Sequence, residues 1–171
     1  MQIRRLRASD DPHRFASGSL MLDRFLIDYA WSNQDSLGIG VTYVAPVEND
    51  VGGYITVAAA SLQRDIAPPP DLRIYPRYPL PVLKIGRLAV DARIQGQGIG
   101  HALLTHSLAV AWAMRETVGC IGVCVDALPT AVPYYEHLGF IPQMQLEGLS
   151  GSRPRPTPMY LSLNQMSSFF A

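Results

Sequence analysis

The sequence predicts a single α/β domain that extends over residues 1–171. The first reason is that an apolar run of strand length, Val82–Val90, leads into a glycine-rich turn and then into a helix. The second is that another apolar run, Ile121–Val125, follows that helix, and strands that alternate with helices are typical of α/β folds. The third is the length, because 171 residues can bury the core of one domain and no linker or internal repeat divides them.

Composition excludes several classes of protein. Apolar residues make up 48% of the chain and charged residues 16%, which is typical of a globular protein and not of a disordered one. The 14 basic and 14 acidic residues cancel, so no global field draws the protein to nucleic acid. No apolar run reaches membrane-spanning length, and the Met1–Arg5 start lacks the apolar region of a signal peptide. We therefore expect a cytoplasmic protein that does not enter a membrane.

A metal site is not expected. Cys120 and Cys124 lie on one predicted strand and on the same face, where they are better explained as buried thiols than as a disulfide or as metal ligands. The four histidines are scattered along the chain without the spacing of metal ligands.

The first sixty residues predict an edge strand, a helix and a hairpin. Met1–Ala8 alternates weakly and is predicted as the edge strand. Phe15–Ala30 is predicted as an amphipathic helix that Ser17 or Ser19 caps. The predicted antiparallel hairpin has its strands at Gly40–Ala45 and Tyr54–Ser61, with a polar turn from Pro46 to Gly53.

Prolines and glycines mark most of the later boundaries. Six prolines between Ile66 and Pro81 exclude a regular helix or a central strand, so a stiff surface loop is predicted there. Gly119 is predicted to end the helix after the glycine-rich turn, and Gly139 to end a short helix that Thr130 caps. The remaining predictions are a strand region from Phe140, a rigid loop at Arg153–Pro158 and a last strand at Met159–Leu163.

The glycine-rich turn indicates a binding site for phosphate groups. Gly96, Gly98 and Gly100 alternate with Gln97 and Ile99, and helical periodicity begins after Gly98. Backbone N–H groups at a helix start lack partners, and the helix dipole adds positive character there. A pyrophosphate placed at this turn would be stabilised by both effects. A glycine-rich strand-to-helix connection that binds nothing is the alternative.

Spacing excludes two other nucleotide-binding loops. No lysine follows these glycines, as a Walker loop requires. A dinucleotide fingerprint requires G-x-G-x-x-G, whereas the segment reads G-Q-G-I-G-H.

The segment resembles motif A of the GNAT N-acetyltransferases, Q/R-x-x-G-x-G/A, matched as Gln95-x-x-Gly98-x-Gly100. The resemblance implies a GNAT fold, in which a central mixed twisted sheet carries helices on both faces and splays into a V at the acetyl-CoA site. It also implies that the turn holds the pyrophosphate of acetyl-CoA and that the preceding strand pairs with the pantetheine arm. The cofactor-binding residues so implied are Leu88, Ala89, Val90, Gln95, Gly96, Gln97, Gly98, Ile99, Gly100 and His101.

Acetyl transfer to an amine requires a proton for the leaving thiolate, and a tyrosine with a reference pKa of about 10 can donate it at neutral pH. Tyr134 and Tyr135 lie early on the predicted short helix. GNAT enzymes often carry an aromatic–tyrosine pair followed by x-x-x-Gly-Phe, and this resemblance implies that Tyr135 is the general acid, although Pro133 is less usual there. No general base stands out; the residues considered are Asp91, His101, Glu136 and His137.

Further segments resemble the GNAT toxins of bacterial type II toxin–antitoxin systems; they are Phe15–Leu26, Gly53–Ala58, Pro81–Asp91 and Val125–Ala127. This resemblance implies acetylation of the free α-amine of aminoacyl-tRNA, which stops translation because an acylated amine cannot attack the peptidyl ester. It also implies a homodimer and a ribbon-helix-helix antitoxin. A local basic stretch supplies candidate tRNA contacts, from charge alone: Arg73, Arg77, Lys84, Arg87 and Arg93.

Two other functions remain open. A GNAT enzyme that acts on a small amine or a protein N-terminus is modestly favoured by the zero net charge. A module that binds CoA or another nucleotide as a sensor would have no catalytic need for Tyr135. Assays with charged tRNA, deacylated tRNA and free amino acid would separate the two enzymatic functions.

Overall fold

The computed structural model describes residues 1–63, 74–143 and 155–168. The strands are β1 Arg4–Arg5, β2 Val41–Val47, β3 Asp50–Leu62, β4 Leu80–Val90, β5 Gly122–Ala127, β6 Ile141–Pro142 and β7 Thr157–Ser162. The helices are α1 Leu20–Arg24, which continues through a π-helical turn at Phe25–Tyr29 into α2 Ala30–Asp35, then α3 Ile99–Thr117 and α4 Val132–His137. Within the described ranges seven strands form one sheet in the order β1-β2-β3-β4-β5-β7-β6, and the predicted α/β class with a mixed sheet is confirmed.

The chain divides into two compact units, of which the first consists of Met1–Ala58 and Ile85–Val110 and the second of Ala59–Lys84 and Ala111–Ala171. The core of the first unit is centred on Tyr54, whose ring is fully buried. Phe25 stacks on this ring and Phe15 meets it edge-on. The other members of this core are Leu6, Leu26, Ala30, Val44, Val51 and Ala89.

The predicted antiparallel hairpin is formed by β2 and β3. Its turn is shorter than predicted, because β2 continues to Val47 and β3 starts at Asp50, so the predicted turn from Pro46 to Gly53 is wrong in length. The register shifts between Ala45 and Pro46. Such an irregularity accommodates a proline that has no N–H to donate, and the strand can continue past it.

The first helical segment begins at Leu20 and ends at Asp35, so the predicted span Phe15–Ala30 is wrong at both ends. Ser19 occupies the N-cap position, but its side chain makes no capping hydrogen bond. Ser17 instead donates through its hydroxyl and its N–H to the buried carboxylate of Asp23, at 2.6 and 2.9 Å. These two bonds hold Ser17 outside the helix, which therefore starts later than the hydrophobic pattern predicts.

In the second unit β5 pairs with β7 in antiparallel register from Gly122↔Ser162 to Ala127↔Thr157. The ring of Tyr160 lies where a side chain at Gly122 would project, and its hydroxyl donates to the Ile121 carbonyl at 3.2 Å. A residue larger than glycine at position 122 would therefore displace this ring.

In the second unit, the predicted helix ends agree with the structure, whereas the predicted cap at the start of α4 does not. Gly119 and Gly139 both take the left-handed conformation, with φ of 98° and 90°, and end α3 and α4 as predicted. The predicted Thr130 cap is wrong, because Ala131 occupies the N-cap position and no side chain caps the helix. Pro133 lies in the first turn, where its missing N–H costs little and its fixed φ favours the helix.

Two predicted proline loops end differently in the structure. Part of the Ile66–Pro81 loop lies outside the described residues, and β4 begins at Leu80 and includes Pro81, so the predicted end of the loop is wrong. The carbonyl of Pro81 accepts the N–H of Ile121 at 2.9 Å, and this bond needs no N–H from the proline. Part of the Arg153–Pro158 loop also lies outside the described residues, and β7 already includes its last two residues.

The two cysteines are free and buried, as predicted. In the part of the chain that the structure describes, no three histidine, cysteine, aspartate or glutamate side chains are grouped to hold a metal ion. None of the described helices is both long enough and apolar enough to cross a membrane.

Candidate active site

The glycine-rich turn of the first unit joins β4 to α3. Gly96 and Gly98 have φ of 80° and 83°, which side chains other than hydrogen rarely adopt. A Cβ added at either position would meet no described atom within 4 Å, so these glycines are required by the backbone conformation and not by crowding. The helix begins at Ile99, and its first N–H groups have no intrahelical partner. The turn therefore offers exposed amide donors and the positive end of a 19-residue helix.

The position of the helix start is set by packing against β3. A Cβ at Gly53 would lie 2.9 Å from the Ile99 side chain and 3.2 Å from the Ala89 carbonyl. Only glycine lets α3 approach β3 and β4 this closely. Ala89 is buried, whereas Leu88 and Val90 are half-buried.

The amide of Gln95 braces the turn from behind. Its Nε2 donates to the carbonyl of Ser17 at 3.0 Å and to that of Val90 at 2.9 Å. The side chain thereby fixes the turn to the strand before it and to the segment before α1. The side chains of Gln97 and His101 are exposed to solvent. We infer that Gln95 shapes the site through these bonds, while its side-chain donors are not available to a ligand.

Asp91 is a buried carboxylate at the start of the same turn. It accepts two bonds from the guanidinium of Arg93, both at 2.8 Å, one from the Arg93 N–H at 3.0 Å and one from the Ala16 N–H at 3.3 Å. These bonds, led by that from the Arg93 side chain, lower the pKa of Asp91 to about 2. A carboxylate with so low a pKa is a poor general base, and Asp91 acts as the cap of the short 3-10 segment Ala92–Ile94.

This pairing predicts the acid sensitivity of the protein. The pKa of Asp91 is lower in the folded state than its unfolded value of about 3.9, so its contribution to stability is complete above about pH 4 and is lost as the pH falls through about 2. We expect Asp91→Asn to remove on the order of 2 kcal/mol of this acid-dependent stability. Urea unfolding between pH 2 and pH 7 measures it. Asp28→Asn, at an exposed position, is the control, and parallel pH curves for wild type and Asp91→Asn would contradict the assignment.

Tyr135, in the second unit, is held as a buried phenol. Its ring is 5% exposed and meets the rings of Tyr134 and Phe140 edge-on, at centroid distances of 5.4 and 5.3 Å. Burial, and secondarily the neighbouring Tyr134, raises the pKa of Tyr135 to about 12. No hydrogen bond contributes to this rise in pKa. The group therefore stays protonated at neutral pH, as a proton donor must.

None of the general-base candidates named from the sequence is supported as a base by the structure. His101, Glu136 and His137 all have exposed side chains, as expected for solvated helix positions. The Asp126 carboxylate accepts a bond from Lys84 at 2.6 Å.

The five cations named as tRNA candidates differ in their partners. Lys84 pairs with Asp126 and Arg93 with Asp91. The guanidinium of Arg87 lies on the ring of Phe25. Arg77 is exposed, and Arg73 lies outside the described residues. Sequence charge alone did not reveal these partners, although the spacing Asp-x-Arg at residues 91–93 is a signal that could have indicated a local pair.

Comparisons with known proteins show which family and which structures this chain resembles. The family described as "Acetyltransferase (GNAT) domain" matches residues 38–142. A curated relative from Mycobacterium tuberculosis, described as a tRNA-acetylating toxin, is 32% identical over 80% of this chain and 82% of its own. The solved structure of AtaT complexed with acetyl-methionyl-tRNAfMet superposes with a TM-score of 0.85 at 27% identity, covering 99% of both chains. A mutant AtaT toxin bound to the C-terminus of the antitoxin AtaR gives a TM-score of 0.76 at 26% identity, covering 99% of this chain and 97% of that one.

Proposed function

This chain belongs to the GNAT family of acetyltransferases, and from that premise we propose that it transfers acetyl from acetyl-CoA to the free α-amine of aminoacyl-tRNA and so blocks translation. The observation that carries the proposal is the exposed amide turn at Gln95–Gly100, framed by two left-handed glycines and braced from behind. The choice of acceptor rests on the similarity to a tRNA-acetylating toxin.

The residues of the turn fit acetyl-CoA as a ligand. Acetyl-CoA supplies an activated thioester. The N–H groups at the start of α3 would bind its pyrophosphate, and the half-buried strand residues Leu88 and Val90 would align its pantetheine arm. These contacts require main-chain atoms only, so side chains of the turn need not be large or charged.

Tyr135 holds the proton that a leaving thiolate needs. Its raised pKa keeps the hydroxyl protonated across the neutral range, and the edge-on rings around it restrict its motion. The attacking α-amine of an aminoacyl ester is less basic than the ε-amine of a lysine side chain. Water can therefore take its proton, so the reaction does not require one of the side chains considered as a base.

The other components of the proposal follow from the similarity to toxin complexes. A solved relative is bound to the C-terminus of its antitoxin. We extend this to a ribbon-helix-helix antitoxin and a homodimer for the present protein, in the cytoplasm where charged tRNA occurs. Size-exclusion chromatography with light scattering measures the oligomeric state directly.

The test is acetyl transfer from radiolabelled acetyl-CoA to three acceptors: a pool of charged tRNA, the same pool after deacylation, and free amino acids. We expect label on the charged pool alone. The label should leave the tRNA with the aminoacyl group upon mild alkaline treatment, because it is attached to the amino acid. Label on free amino acids at a comparable rate would favour a small-amine acetyltransferase, and label on none would contradict the proposal.

A further inference from the structure

Arg87 differs from Lys84 and Arg93 because its guanidinium contacts an aromatic ring instead of a carboxylate. Its guanidinium carbon lies 3.7 Å from the centroid of the Phe25 ring. Phe25 is itself fixed, since it is 5% exposed and stacks on Tyr54 with a centroid distance of 6.2 Å. The Tyr54 hydroxyl donates to the Leu22 carbonyl at 2.8 Å. The guanidinium therefore lies on a rigid aromatic platform within the first unit.

No carboxylate of the described residues forms a salt bridge with Arg87. The buried carboxylate of Asp23, near Tyr54, accepts two hydrogen bonds from Ser17. Arg93, by contrast, is neutralised by a bidentate contact with Asp91. Arg87 thus combines a position on the Phe25 ring with a positive charge that has no ion-pair partner among the described residues.

Phe25 is the first residue of a π-helical turn, Phe25–Tyr29, which lies between α1 and α2. π-helical turns are rare and occur frequently at functional sites. The ring of this first residue is the one that contacts the Arg87 guanidinium. Arg87 also immediately precedes Leu88, the first strand residue that the GNAT resemblance assigns to the cofactor arm.

A guanidinium stacked on a ring presents its N–H edge in the plane parallel to that ring, and this fork matches the two free oxygens of a phosphate. The half-buried position reduces screening by solvent. The proposed acceptor carries a protonated or neutral amine and an esterified carboxyl group, so its nearest anion is the phosphodiester of the 3′-terminal nucleotide.

We propose that Arg87, oriented by Phe25, binds the 3′-terminal phosphodiester of the aminoacyl-tRNA acceptor. The proposal rests on the function proposed above and makes it specific, since this contact would distinguish a nucleic-acid acceptor from a free amino acid. A phosphate of acetyl-CoA has the same chemistry, and the experiment below separates the two sources.

The test compares two acceptors with the same amino acid: aminoacyl-tRNA, and an aminoacyl ester of adenosine that has no phosphate. For Arg87→Gln we expect the KM for aminoacyl-tRNA to rise about 10- to 100-fold, as loss of a charge-assisted bidentate contact implies. The KM for the adenosine ester and the dissociation constant of acetyl-CoA, measured by calorimetry, should remain within about twofold. The slope of log affinity against log salt concentration for tRNA should become shallower by about 0.7, the share of one single-stranded phosphate.

Two further variants separate binding from packing. Arg87→Lys keeps the charge but not the fork, so we expect only partial rescue of the KM for aminoacyl-tRNA. Phe25→Leu keeps an apolar side chain but removes the ring face, and it should reproduce part of the tRNA defect. Arg115→Gln, at an exposed arginine of α3, is the matched control and should behave as wild type. Thermal unfolding of each variant verifies that it is folded.

Each remaining outcome overturns the proposal in an identifiable way. An equal loss with both acceptors means that Arg87 does not bind a phosphate of the acceptor. Weaker acetyl-CoA binding in Arg87→Gln means that the phosphate belongs to the cofactor. Unchanged kinetics mean that Arg87 only covers Phe25. A wild-type protein that acetylates neither acceptor refutes the proposed function itself, which is distinct from active wild type with an unaffected Arg87→Gln.

Discussion

Replacement of Tyr135 by phenylalanine is expected to lower kcat by about 100-fold or more, with little change in the KM for either substrate. The change removes one hydroxyl and leaves the ring between Tyr134 and Phe140, so the packing of the second unit should be preserved. The reason for the loss is that the leaving thiolate would have no positioned proton donor. Steady-state kinetics with aminoacyl-tRNA measure the effect.

Tyr134→Phe is the matched control for this prediction. Tyr134 is 38% exposed, and removal of its hydroxyl is expected to change kcat by no more than about threefold. Because the pKa of Tyr135 is raised to about 12, its ionisation should not reduce kcat of the wild type below about pH 11. Equal, small losses in the two variants would refute the role of Tyr135 as general acid.

Gly98→Ala is expected to weaken acetyl-CoA binding about 10- to 100-fold. The φ of 83° at Gly98 disfavours any residue with a Cβ by about 1–2 kcal/mol, and relaxation of that strain would turn the N–H groups of the turn away from a bound pyrophosphate. Isothermal titration calorimetry with acetyl-CoA measures the change.

Gly38→Ala separates ligand binding from backbone strain. Gly38 also has a positive φ, 63°, and a Cβ there would meet no described atom within 4 Å. Both alanine variants should therefore lose a similar amount of thermal stability, while only Gly98→Ala loses affinity for acetyl-CoA. Equal affinities for acetyl-CoA in the two variants would show that the turn does not bind the pyrophosphate.

Much of the fold could be predicted because its signals are local. A short apolar run, a turn that needs glycine and a helical repeat each act over a few residues, so the β4–α3 connection and the glycine ends at Gly119 and Gly139 were predicted correctly. The hairpin was also predicted, but not the length of its turn. The register shift at Pro46 depends on the partner strand, and the sequence of one strand does not encode it.

The candidate site was predictable in its main chain and less so in its side chains. The sequence motif placed Gly96 and Gly98 in a turn before a helix, and their positive φ values agree with that requirement. It did not indicate that Gln95 braces the turn by bonding to Ser17, 78 residues earlier in the chain. Charge alone predicts that Arg93 is free to contact tRNA, whereas the structure pairs it with Asp91.

The sequence by itself determined the class of fold and the glycine-rich turn, because these depend on residue type and local spacing. The choice of Tyr135 as the acid rests on the resemblance to GNAT enzymes, and only the structure showed that its ring is buried. The tertiary structure alone decided which charges are neutralised and which are presented. Arg87 and Phe25 are 62 positions apart in the numbering (87 − 25), and only the folded core brings the guanidinium onto the ring. Charge is a property of a residue, whereas the availability of that charge depends on its neighbours in space.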